Sequence, residues 1–370
     1  MKKVLFVASI TRHINTFHLP YLKYFKDKGY EVHVASNGDE KIKNCDKHFN
    51  LEFERSPFKK QNMQAYKKLK KIINKEEYEV IHCHTPVASV LTRLAAKKTR
   101  RRIGTKVIYT AHGFHFYKGA PIKNWLIYYP IEKVLSKHTD VLITINNEDY
   151  LFAKRKLKTK KIEHVHGIGV DKKKFEVDMS SKEWDIERAK FTVEPLDFLI
   201  TYVAELNDNK NQMMLVDAMK ILVKMYPNIK VLLAGDGVNK EKLEKEIREN
   251  KLQSNILLLG YRTDIPNLLA ISDLYVATSK REGLPINIIE AMVSGLPVVA
   301  TNSRGQRELV SDGENGYLVE IDDVNSLAQK IKNIYLDNRI RERITEGAKE
   351  NVEPYLLENV MKEMKDIYKM

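Results

Sequence analysis

Residues 273–301 (DLYVATSKREGLPINIIEAMVSGLPVVAT) constrain the fold of this chain more than any other segment. An apolar run that ends at Ser279 predicts a buried strand, and Leu296–Thr301 predicts the next one. Between them we expect a helix with Pro285 at its first position and Gly295 just past its last, the usual asymmetry of helix ends. A strand, a loop, a helix and a second strand form an α/β unit, and such units bind ligands at the carboxyl ends of their strands.

The rest of the chain repeats this alternation of apolar runs and helical stretches. The apolar runs are Val4–Ala8, Val32–Ser36, Val80–His84, Val107–Ala111 and Val141–Asn146, then Phe198–Ala204, Lys230–Ala234, Ile256–Leu259, Leu274–Ala277 and Val298–Thr301. Strands that alternate with helices predict parallel sheets. Residues 171–197 are polar and patternless, and we expect a linker there. Because 370 residues are long for one core, the sequence predicts two α/β domains.

The predicted helix after Pro285 offers an anion site. The amides of Ile286, Asn287 and Ile288 have no intrahelical partner, and the helix dipole favours negative charge there, such as a phosphate or diphosphate. Two carboxylates, Glu282 and Glu290, bracket this helix start with seven residues between them. A carboxylate on the apolar helix needs a partner, and two sugar hydroxyls would suit Glu290. The residues alone allow an equally good alternative, in which Glu282 is solvated and Glu290 pairs with a Lys or Arg.

The segment resembles the E-x7-E segment of retaining nucleotide-sugar glycosyltransferases of family four. Further stretches resemble that family: Val231–Gly237 (VLLAGDG), Leu259–Leu268 (LGYRTDIPNL), Asp312–Val319 (DGENGYLV, a late hairpin in the family), Thr110–Gly113 (TAHG) and Gly167–Phe175 (GIGVDKKKF). The resemblance covers nearly the whole chain and is densest over residues 200–320. It implies an α/β fold of the GT-B type, with two Rossmann-like domains whose parallel sheets face each other across a cleft.

The resemblance also implies a domain division and an activity. Residues 1–190 would form the acceptor domain and residues 191–351 the nucleotide-sugar donor domain, with a last helix at about 352–370 packing back on the first domain. The enzyme would move an N-acetylhexosamine or a related hexose from a UDP-sugar, with retention, to a saccharide or lipid-linked acceptor. The nearest relatives by this resemblance are bacterial capsule and exopolysaccharide transferases.

Roles for the donor-sugar residues follow from the resemblance. Glu282 would hold donor-sugar hydroxyls, and the amides of Gly283 and Leu284 would lie near the sugar and diphosphate. Lys210 would neutralise the diphosphate as the leaving group departs. The family usually has an Arg five positions before this Lys, where this chain has Glu205. A carboxylate cannot clamp a phosphate, so Lys210 would act largely alone or with help from an arginine such as Arg281 or Arg262.

The remaining roles concern the nucleotide and the first domain. Ile286 and Asn287 would present amides to phosphate, and Glu290 would bind the ribose hydroxyls. Arg262 and its turn would face the base. His112 would contact the donor sugar from the first domain. For each of these residues a structural or solvated role is the alternative.

The sequence predicts no cofactor and no metal. There is no G-x-G-x-x-G fingerprint in the first half, which argues against a nicotinamide cofactor, and no D-x-D motif. His82 and His84 flank Cys83, but no third ligand lies nearby in the sequence, and we interpret them as polar residues at a strand end. In the first loop, Arg12, His13 and His18 are candidates for an anionic acceptor or for solvated surface.

The net charge is +14, and the excess of Lys and Arg lies in the first 190 residues, whereas acids slightly outnumber bases after them. This asymmetry favours contact with an anionic membrane surface over plain solubility, and disfavours nucleic acid as a partner. No apolar run is long enough to span a bilayer. The start MKKVLFVAS predicts a first strand better than a signal peptide. With only Cys45 and Cys83, we expect a cytoplasmic protein, peripheral at the membrane.

Two alternatives from other classes stay open at this point. An epimerase with the same fold would share the UDP-sugar site but would convert its substrate without an acceptor. An inert scaffold, tethered to the membrane by its basic half, would tolerate loss of Glu282. Glu205 is the one residue that favours the scaffold.

Overall fold

The computed structural model describes residues 1–54, 56 and 59–369 and divides the chain into two α/β units. The first unit comprises Met1–Ile168 and the stretch that begins at Val360. The second unit comprises Gly169–Asn359.

The first unit is built on a parallel sheet of seven strands. The strands are β1 (Lys3–Ile10), β2 (Glu31–Asn37), β3 (Lys47–Asn50), β4 (Val80–Cys83), β5 (Lys106–Ala111), β6 (Val141–Thr144) and β7 (Lys161–His164). The helices that follow them are α1 (Thr11–Phe17), α2 (Leu19–Asp27), α3 (Lys60–Glu76), α4 (Pro86–Ala95), α5 (Lys97–Arg102), α6 (Ile122–Leu135) and α7 (Asn147–Lys156). The strand order is β3-β2-β1-β4-β5-β6-β7.

Strand β1 shows why this sheet is buried on both faces. Its sequence KVLFVASI has six consecutive buried side chains, the continuous apolar pattern of a strand in a parallel sheet. Leu5 and Val7 belong to the core on one face, and Val4 and Phe6 to the core on the other. Burial of all four side chains stabilises both layers, at about 1.5–3 kcal/mol for each.

The second unit repeats the design with six parallel strands. Its strands are β8 (Phe198–Val203), β9 (Ile229–Ala234), β10 (Ile256–Gly260), β11 (Leu274–Ala277), β12 (Val298–Thr301) and β13 (Tyr317–Val319). Its helices are α8 (Ser181–Ala189), α9 (Gln212–Leu222), α10 (Lys240–Glu249), α11 (Ile265–Ala270), α12 (Ile286–Val293), α13 (Gln306–Leu309), α14 (Val324–Leu336) and α15 (Asn338–Asn351). The order β10-β9-β8-β11-β12-β13 is that of a Rossmann sheet.

The predicted linker at residues 171–197 is wrong, because this stretch contains helix α8. Ser180 and Glu183 form a reciprocal capping box at its start, which the polar composition concealed. Arg188 at its end is buried, bonds the carbonyl oxygen of Ile271 and pairs with Asp273. These bonds tie α8 to the second unit, so the boundary lies between residues 168 and 169 and not at 190.

The chain ends in α16 (Leu357–Lys369), preceded by a break that the sequence did not predict. Helix α15 stops at Asn351, and a short 3-10 turn, Glu353–Tyr355, carries Pro354 before α16 begins. Beyond Val360, side chains of α16 pack into the core of the first unit. The hydroxyl of Tyr368 bonds the buried ring of His82 at 2.8 Å, which anchors the helix end.

Two smaller expectations are also corrected. Residues 312–319 do not form an antiparallel hairpin, because β13 pairs parallel with β12 and the segment before it makes only a parallel bridge from Asp312 to Gly316. Pro285 is the residue that caps α12, one position before the helix begins. Among the residues described, no helix is both long and apolar enough to traverse a bilayer.

Candidate functional site

The second sheet reverses its strand order between β8 and β11, and the predicted donor residues lie at that point. The loop after β8 carries Lys210, and the loop after β11 carries Glu282. Ligands of doubly wound sheets bind outside the carboxyl ends of the strands where the order reverses. The topology therefore brings together two residues that are 72 positions apart in the chain.

Two glycines let the loop after β8 lie directly on the loop after β9. A Cβ atom on Gly235 would lie 1.8 Å from the carbonyl oxygen of Ala204, and one on Gly237 would lie 2.4 Å from that of Leu206. The amide of Leu206 donates to the carbonyl oxygen of Asp236 at 2.9 Å. Only glycine fits at either position, so the segment VLLAGDG fixes the start of the loop that carries Lys210.

Buried hydroxyl groups hold the backbone of Lys210 from below. The Tyr202 hydroxyl donates to the carbonyl oxygen of Lys210 at 2.7 Å, and Thr278 donates to that of Asn211 at 2.8 Å. Tyr202 also contacts the hydroxyl of Ser279 at 3.0 Å. These supporting residues were not predicted from the sequence. A Tyr on a buried strand and hydroxyl residues at the end of a neighbouring strand are the features that could have indicated them.

Lys210 and Glu282 form an ion pair. The Lys210 Nζ atom lies 2.6 Å from Glu282 Oε1, and the two side chains are 22% and 13% exposed. The alternative in which Glu282 is solvated on its loop is therefore wrong. The contact uses one oxygen of the carboxylate, and an ammonium group has three hydrogens to donate, so both groups can make further bonds.

A run of backbone amides borders this pair. Helix α12 begins at Ile286 with no side-chain cap, and within the described ranges we find no hydrogen bond from the amides of Gly283, Leu284, Ile286 or Asn287. The amide of Ile288, in contrast, is occupied by the Asn287 side chain and the carbonyl oxygen of Pro285. Four of the predicted anion-binding amides are thus available and the fifth is not.

The Asn287 side chain positions the helix start. Its Nδ2 atom donates to the carbonyl oxygen of Val203, the last residue of β8, at 3.0 Å. On the other side, a Cβ atom on Gly305 would lie 2.6 Å from the carbonyl oxygen of Gly283, so the loop after β12 packs against the loop of Glu282. The amides are therefore held from two neighbouring strands.

Glu290 lies one turn into α12 and is partly buried. Burial raises the pKa of its carboxyl to about 7, and only the charge of Lys174 acts in the opposite direction. Across the described part of the chain, its carboxylate has neither a hydrogen bond nor an ion pair. The alternative in which Glu290 pairs with a Lys or Arg is wrong, and the carboxylate is available to a ligand.

Arg262, unlike Glu290, already has a partner of opposite charge. Arg262 makes a bidentate contact with Asp264, with Nε to Oδ1 at 2.8 Å, and this contact raises the pKa of the guanidinium. Its charge is thus already neutralised before any ligand binds. Glu205, where the resembling family has Arg, is exposed on the loop after β8.

His112 lies in the first unit, just after β5, and three other histidines surround it. His13 and His18 follow β1, and His84 follows β4, so all of them lie where the first sheet reverses its strand order. One nitrogen from each of the four rings lies within 4.8 Å of the others. His82 is separate, because its two nitrogens contact Tyr368 and Thr110 at 2.8 Å each.

A cavity of about 510 Å³ adjoins these histidines in the first unit. His13 and His112 line it together with apolar and aromatic side chains such as Val90, Phe116 and Tyr128. Glu132 also borders it and is bound by the buried Arg93 through two contacts of 2.7 and 2.9 Å. The first unit thus combines a mainly apolar and aromatic cavity with histidines and one buried ion pair, whereas the site of the second unit combines an ion pair with available backbone amides.

Comparison with known proteins agrees with this two-unit geometry. Residues 3–146 match the family model described as "Glycosyl transferase 4-like", and residues 185–351 match "Glycosyl transferases group 1". The chain is 43% identical over 368 residues to EpsD of Bacillus subtilis (strain 168), a protein named as a glycosyltransferase, covering 99% of this chain and 96% of the relative. The chain belongs to the group 1 glycosyltransferases.

Two further similarities bear on the family and on the fold, respectively. Over 270 residues the chain is 31% identical to the Escherichia coli UDP-Gal:alpha-D-GlcNAc-diphosphoundecaprenol alpha-1,3-galactosyltransferase, covering 72% of this chain and 68% of that enzyme. The crystal structure of Anabaena Alr3699/HepE with UDP and glucose superposes with a TM-score of 0.82 at 20% identity and covers all of both chains. The protein is therefore a glycosyltransferase with the GT-B fold.

Proposed function

We propose that this glycosyltransferase moves a hexose or N-acetylhexosamine from a UDP-sugar, with retention of configuration, to a saccharide or lipid-linked acceptor in cell-surface polysaccharide biosynthesis. The donor binds the second unit and the acceptor binds the first. The observation that carries the proposal is the pair of Lys210 and Glu282 beside four available amides. We propose that the enzyme works at the cytoplasmic face of the membrane.

The two members of the pair suit the two parts of a nucleotide sugar that must be held, the neutral sugar and the anionic diphosphate. Glu282 accepts hydrogen bonds from donor-sugar hydroxyls through its second oxygen, and Lys210 turns its remaining hydrogens toward the diphosphate. The amides of Gly283, Leu284, Ile286 and Asn287 complete the anion site at the helix start. Charge that develops on the leaving diphosphate is stabilised by groups already in position, a contribution worth about 10²–10³-fold in rate for one donor.

Glu290 is the proposed ribose ligand. A carboxylate without a partner is costly in a partly buried position, and two ribose hydroxyls would donate to its two oxygens. These hydrogen bonds favour the ionised form, so nucleotide binding lowers the raised pKa of Glu290. In this scheme the base packs near Arg262, whose charge is already balanced by Asp264.

We propose that transfer needs no metal at the diphosphate. Lys210 and the amides supply the positive ends of the interaction, and the exposed Glu205 replaces the arginine of the resembling family without contributing positive charge. Replacing Glu205 by Arg is therefore expected to tighten UDP binding. The departing phosphate helps to deprotonate the acceptor on the same face, as the family resemblance implies, so no protein nucleophile is required.

The acceptor and the stereochemistry are proposed from the E. coli relative. The name of that enzyme gives UDP-Gal as donor, a diphosphoundecaprenol-linked sugar as acceptor and an alpha product. UDP-hexoses of this kind carry an alpha-linked sugar, so an alpha product means retention. An apolar cavity of 510 Å³ in the first unit is chemically suited to the apolar part of a lipid-linked acceptor or to a pyranose ring.

We further propose that helix α6 meets the membrane surface. Its large apolar side chains are exposed instead of buried: Ile122 is 74% exposed, Leu126 70% and Val134 60%. Exposed lysines flank them at positions 118, 123, 133 and 137. An apolar row rimmed by lysines fits an interface of anionic headgroups and acyl chains better than it fits water.

The test is a binding panel of nucleotides and nucleotide sugars measured by thermal shift and calorimetry. Wild type is compared with Glu290→Gln, and with Glu241→Gln as a control for an exposed glutamate. We expect UDP and UDP-sugars to bind and other nucleoside diphosphates to bind more weakly. A ligand at 100 times its Kd stabilises the protein by about 2.7 kcal/mol, and Glu290→Gln is expected to reduce this shift where Glu241→Gln does not.

Contrary outcomes are also distinct. The absence of stabilisation by any nucleotide would contradict the proposed donor site. Conversion of the UDP-sugar in the absence of any acceptor would favour the epimerase reaction. A beta-linked product, read from the anomeric coupling constant by NMR, would contradict retention.

A further inference from the structure

We propose that the first unit binds one divalent transition-metal ion of the zinc class through four imidazoles, those of His13, His18, His84 and His112. This site is separate from the donor site and does not depend on the proposed reaction. Its ligands come from three segments of the chain, the start of α1 and α2, the end of β4 and the end of β5. They converge because these strands are neighbours in the sheet.

The spacing of the ring nitrogens fits a small tetrahedral ion. Zinc binds imidazole nitrogen at about 2.0–2.1 Å, so two ligand atoms on a tetrahedron lie about 3.3 Å apart. His84 Nδ1 and His112 Nε2 lie 3.4 Å apart. Nitrogens from all four rings lie within 4.8 Å of one another, so modest ring rotations bring the remaining two into the same shell.

Four of the ring nitrogens in the cluster are buried and lack a hydrogen-bond partner among the described residues. They are His13 Nε2, both nitrogens of His18 and His84 Nε2. Buried polar atoms in folded proteins nearly always have a partner, and each one without a partner needs an explanation. His82 is the internal contrast, because it lies against the cluster yet has both ring nitrogens bonded.

The four rings also pack against one another. His18 and His84 stack with ring centroids 3.8 Å apart, and His13 meets His112 edge to face at 5.1 Å.

A bound ion would have a consequence for His112. With Nε2 directed at the ion, the proton of the neutral ring must lie on Nδ1, so His112 becomes a fixed hydrogen-bond donor on its other side. The ion would also place two positive charges beside the 510 Å³ cavity that His13 and His112 line, which would favour an anionic group on the occupant.

The experiment uses the full-length protein after dialysis against EDTA and then against metal-free buffer. Zn²⁺ is titrated by calorimetry, and Co²⁺ is added separately as a spectroscopic probe. We expect one equivalent of Zn²⁺ per chain, a rise in Tm, and the intense visible absorption bands of tetrahedral Co²⁺. Absence of stoichiometric binding by the folded wild-type protein would overturn the proposal.

Variants locate the site. His18→Phe and His84→Phe keep an aromatic ring in the stack but remove the ligand nitrogens, and each is expected to weaken Zn²⁺ binding at least 10-fold and to abolish the Co²⁺ bands. His138→Phe, outside the cluster, is the matched control and is expected to bind like wild type. Equal loss in the control, or full binding in both cluster variants with a native circular dichroism spectrum, would contradict the assignment. UDP binding is measured on the same samples, so failure of the metal site is distinguished from failure of the donor site.

Discussion

An ion pair between a basic side chain and a glutamate in the first unit can be compared with one in the second, because the two pairs differ in how many carboxylate oxygens they use. In the first unit, Arg93 and Glu132 are 1% and 10% exposed and make two contacts at once. In the second unit, Lys210 and Glu282 are 22% and 13% exposed and make a single contact. The first pair uses both carboxylate oxygens, whereas the second leaves one oxygen and several hydrogens for other partners.

This difference separates a structural ion pair from one that is available for chemistry. Arg93 on α4 also lies over the ring of Tyr109 at 4.2 Å, so its charge is enclosed by protein. Lys210 is bordered instead by amides that have no partner of their own. We therefore expect loss of the Arg93 pair to change folding and loss of the Lys210 pair to change catalysis.

The largest effect is expected for Glu132→Gln. It leaves the buried Arg93 guanidinium without its counter-charge, and removing one partner of a buried pair typically costs about 3–5 kcal/mol. The free energy of unfolding is measured by urea denaturation. Because the two units need not unfold together, hydrogen exchange of the amides in α4 and α6 is used to report on the first unit. Asp27→Asn, which breaks the exposed pair with Lys23, is the control and should cost less than about 1 kcal/mol. Equal stability of Glu132→Gln and wild type would remove the distinction between the two pairs.

The next effect is on catalysis. Glu282→Gln keeps the shape of the side chain but removes the charge that orients Lys210 and binds the donor sugar. We expect kcat/KM for transfer to fall by about 10²–10³-fold, or about 3 kcal/mol of transition-state stabilisation. The free energy of unfolding should change by only about 1 kcal/mol, because Lys210 is partly exposed and can be solvated. A variant with wild-type transfer rates and a large loss of stability would make this pair structural, like that of Arg93.

A third effect concerns pH and the second unit alone. The pKa of Glu290 is raised from 4.5 to about 7 in the native state, so between these values the native protein binds more protons than the unfolded chain. The contribution of Glu290 to the free energy of unfolding is therefore most favourable below pH 4.5. It decreases as the pH rises from 4.5 to about 7 and does not decrease further above that pH. Because the side chain is partly exposed, we expect the free energy of unfolding to fall by about 2 kcal/mol in total over this pH range.

Glu290→Gln should abolish this slope, and Glu241→Gln should not. Urea unfolding is measured at closely spaced pH values, and hydrogen exchange is used to monitor the unfolding of the second unit. UDP affinity should change in the opposite sense and increase as Glu290 ionises. An unchanged pH dependence in Glu290→Gln would show that another group titrates in this range.

The arrangement of the proposed donor residues was largely predictable, because most of these residues lie in contiguous segments. The loop, the helix start and Glu290 are all local to residues 282–290, and strand, Pro and helix signals mark them. Lys210 required only the knowledge that β8 precedes it. What the sequence did not reveal is that Lys210 and Glu282 bond each other, since two residues far apart in the chain meet only through the strand order.

The histidine cluster was not predictable by the same means. His82 and His84 are close in the sequence, but only His84 belongs to the cluster, because the ring of His82 bonds Tyr368 from the last helix. His13 and His18 come from one segment near the start of the chain and His112 from the end of β5, and no local spacing connects these segments with His84. The predicted linker failed for a related reason, because the capping box at Ser180 lies in a polar stretch whose anchor, Arg188, pairs with Asp273 far along the chain.

The smallest expected effect tests whether the basic, first unit contacts the membrane through α6. Leu126 is 70% exposed on α6, and Leu196 is 89% exposed in the second unit, so the two leucines form a matched pair of surface positions. Insertion of Leu126 into the acyl boundary would contribute about 1.5 kcal/mol, and Leu126→Gln should weaken partition to vesicles of anionic phospholipid about 10-fold.

Leu196→Gln should leave partition unchanged, because that leucine lies in the unit proposed to bind the donor. Both variants keep the net charge, so a difference between them cannot arise from long-range attraction of the basic surface. Raising the salt concentration then separates the electrostatic contribution of the lysines from the apolar contribution of Leu126. Salt should weaken vesicle binding of wild type and of both variants by the same factor, because it screens the lysines. The ratio between the partition coefficients of the two leucine variants should not change. Equal partition of the two variants would mean that charge alone brings the first unit to the membrane and that the apolar row of α6 has another partner.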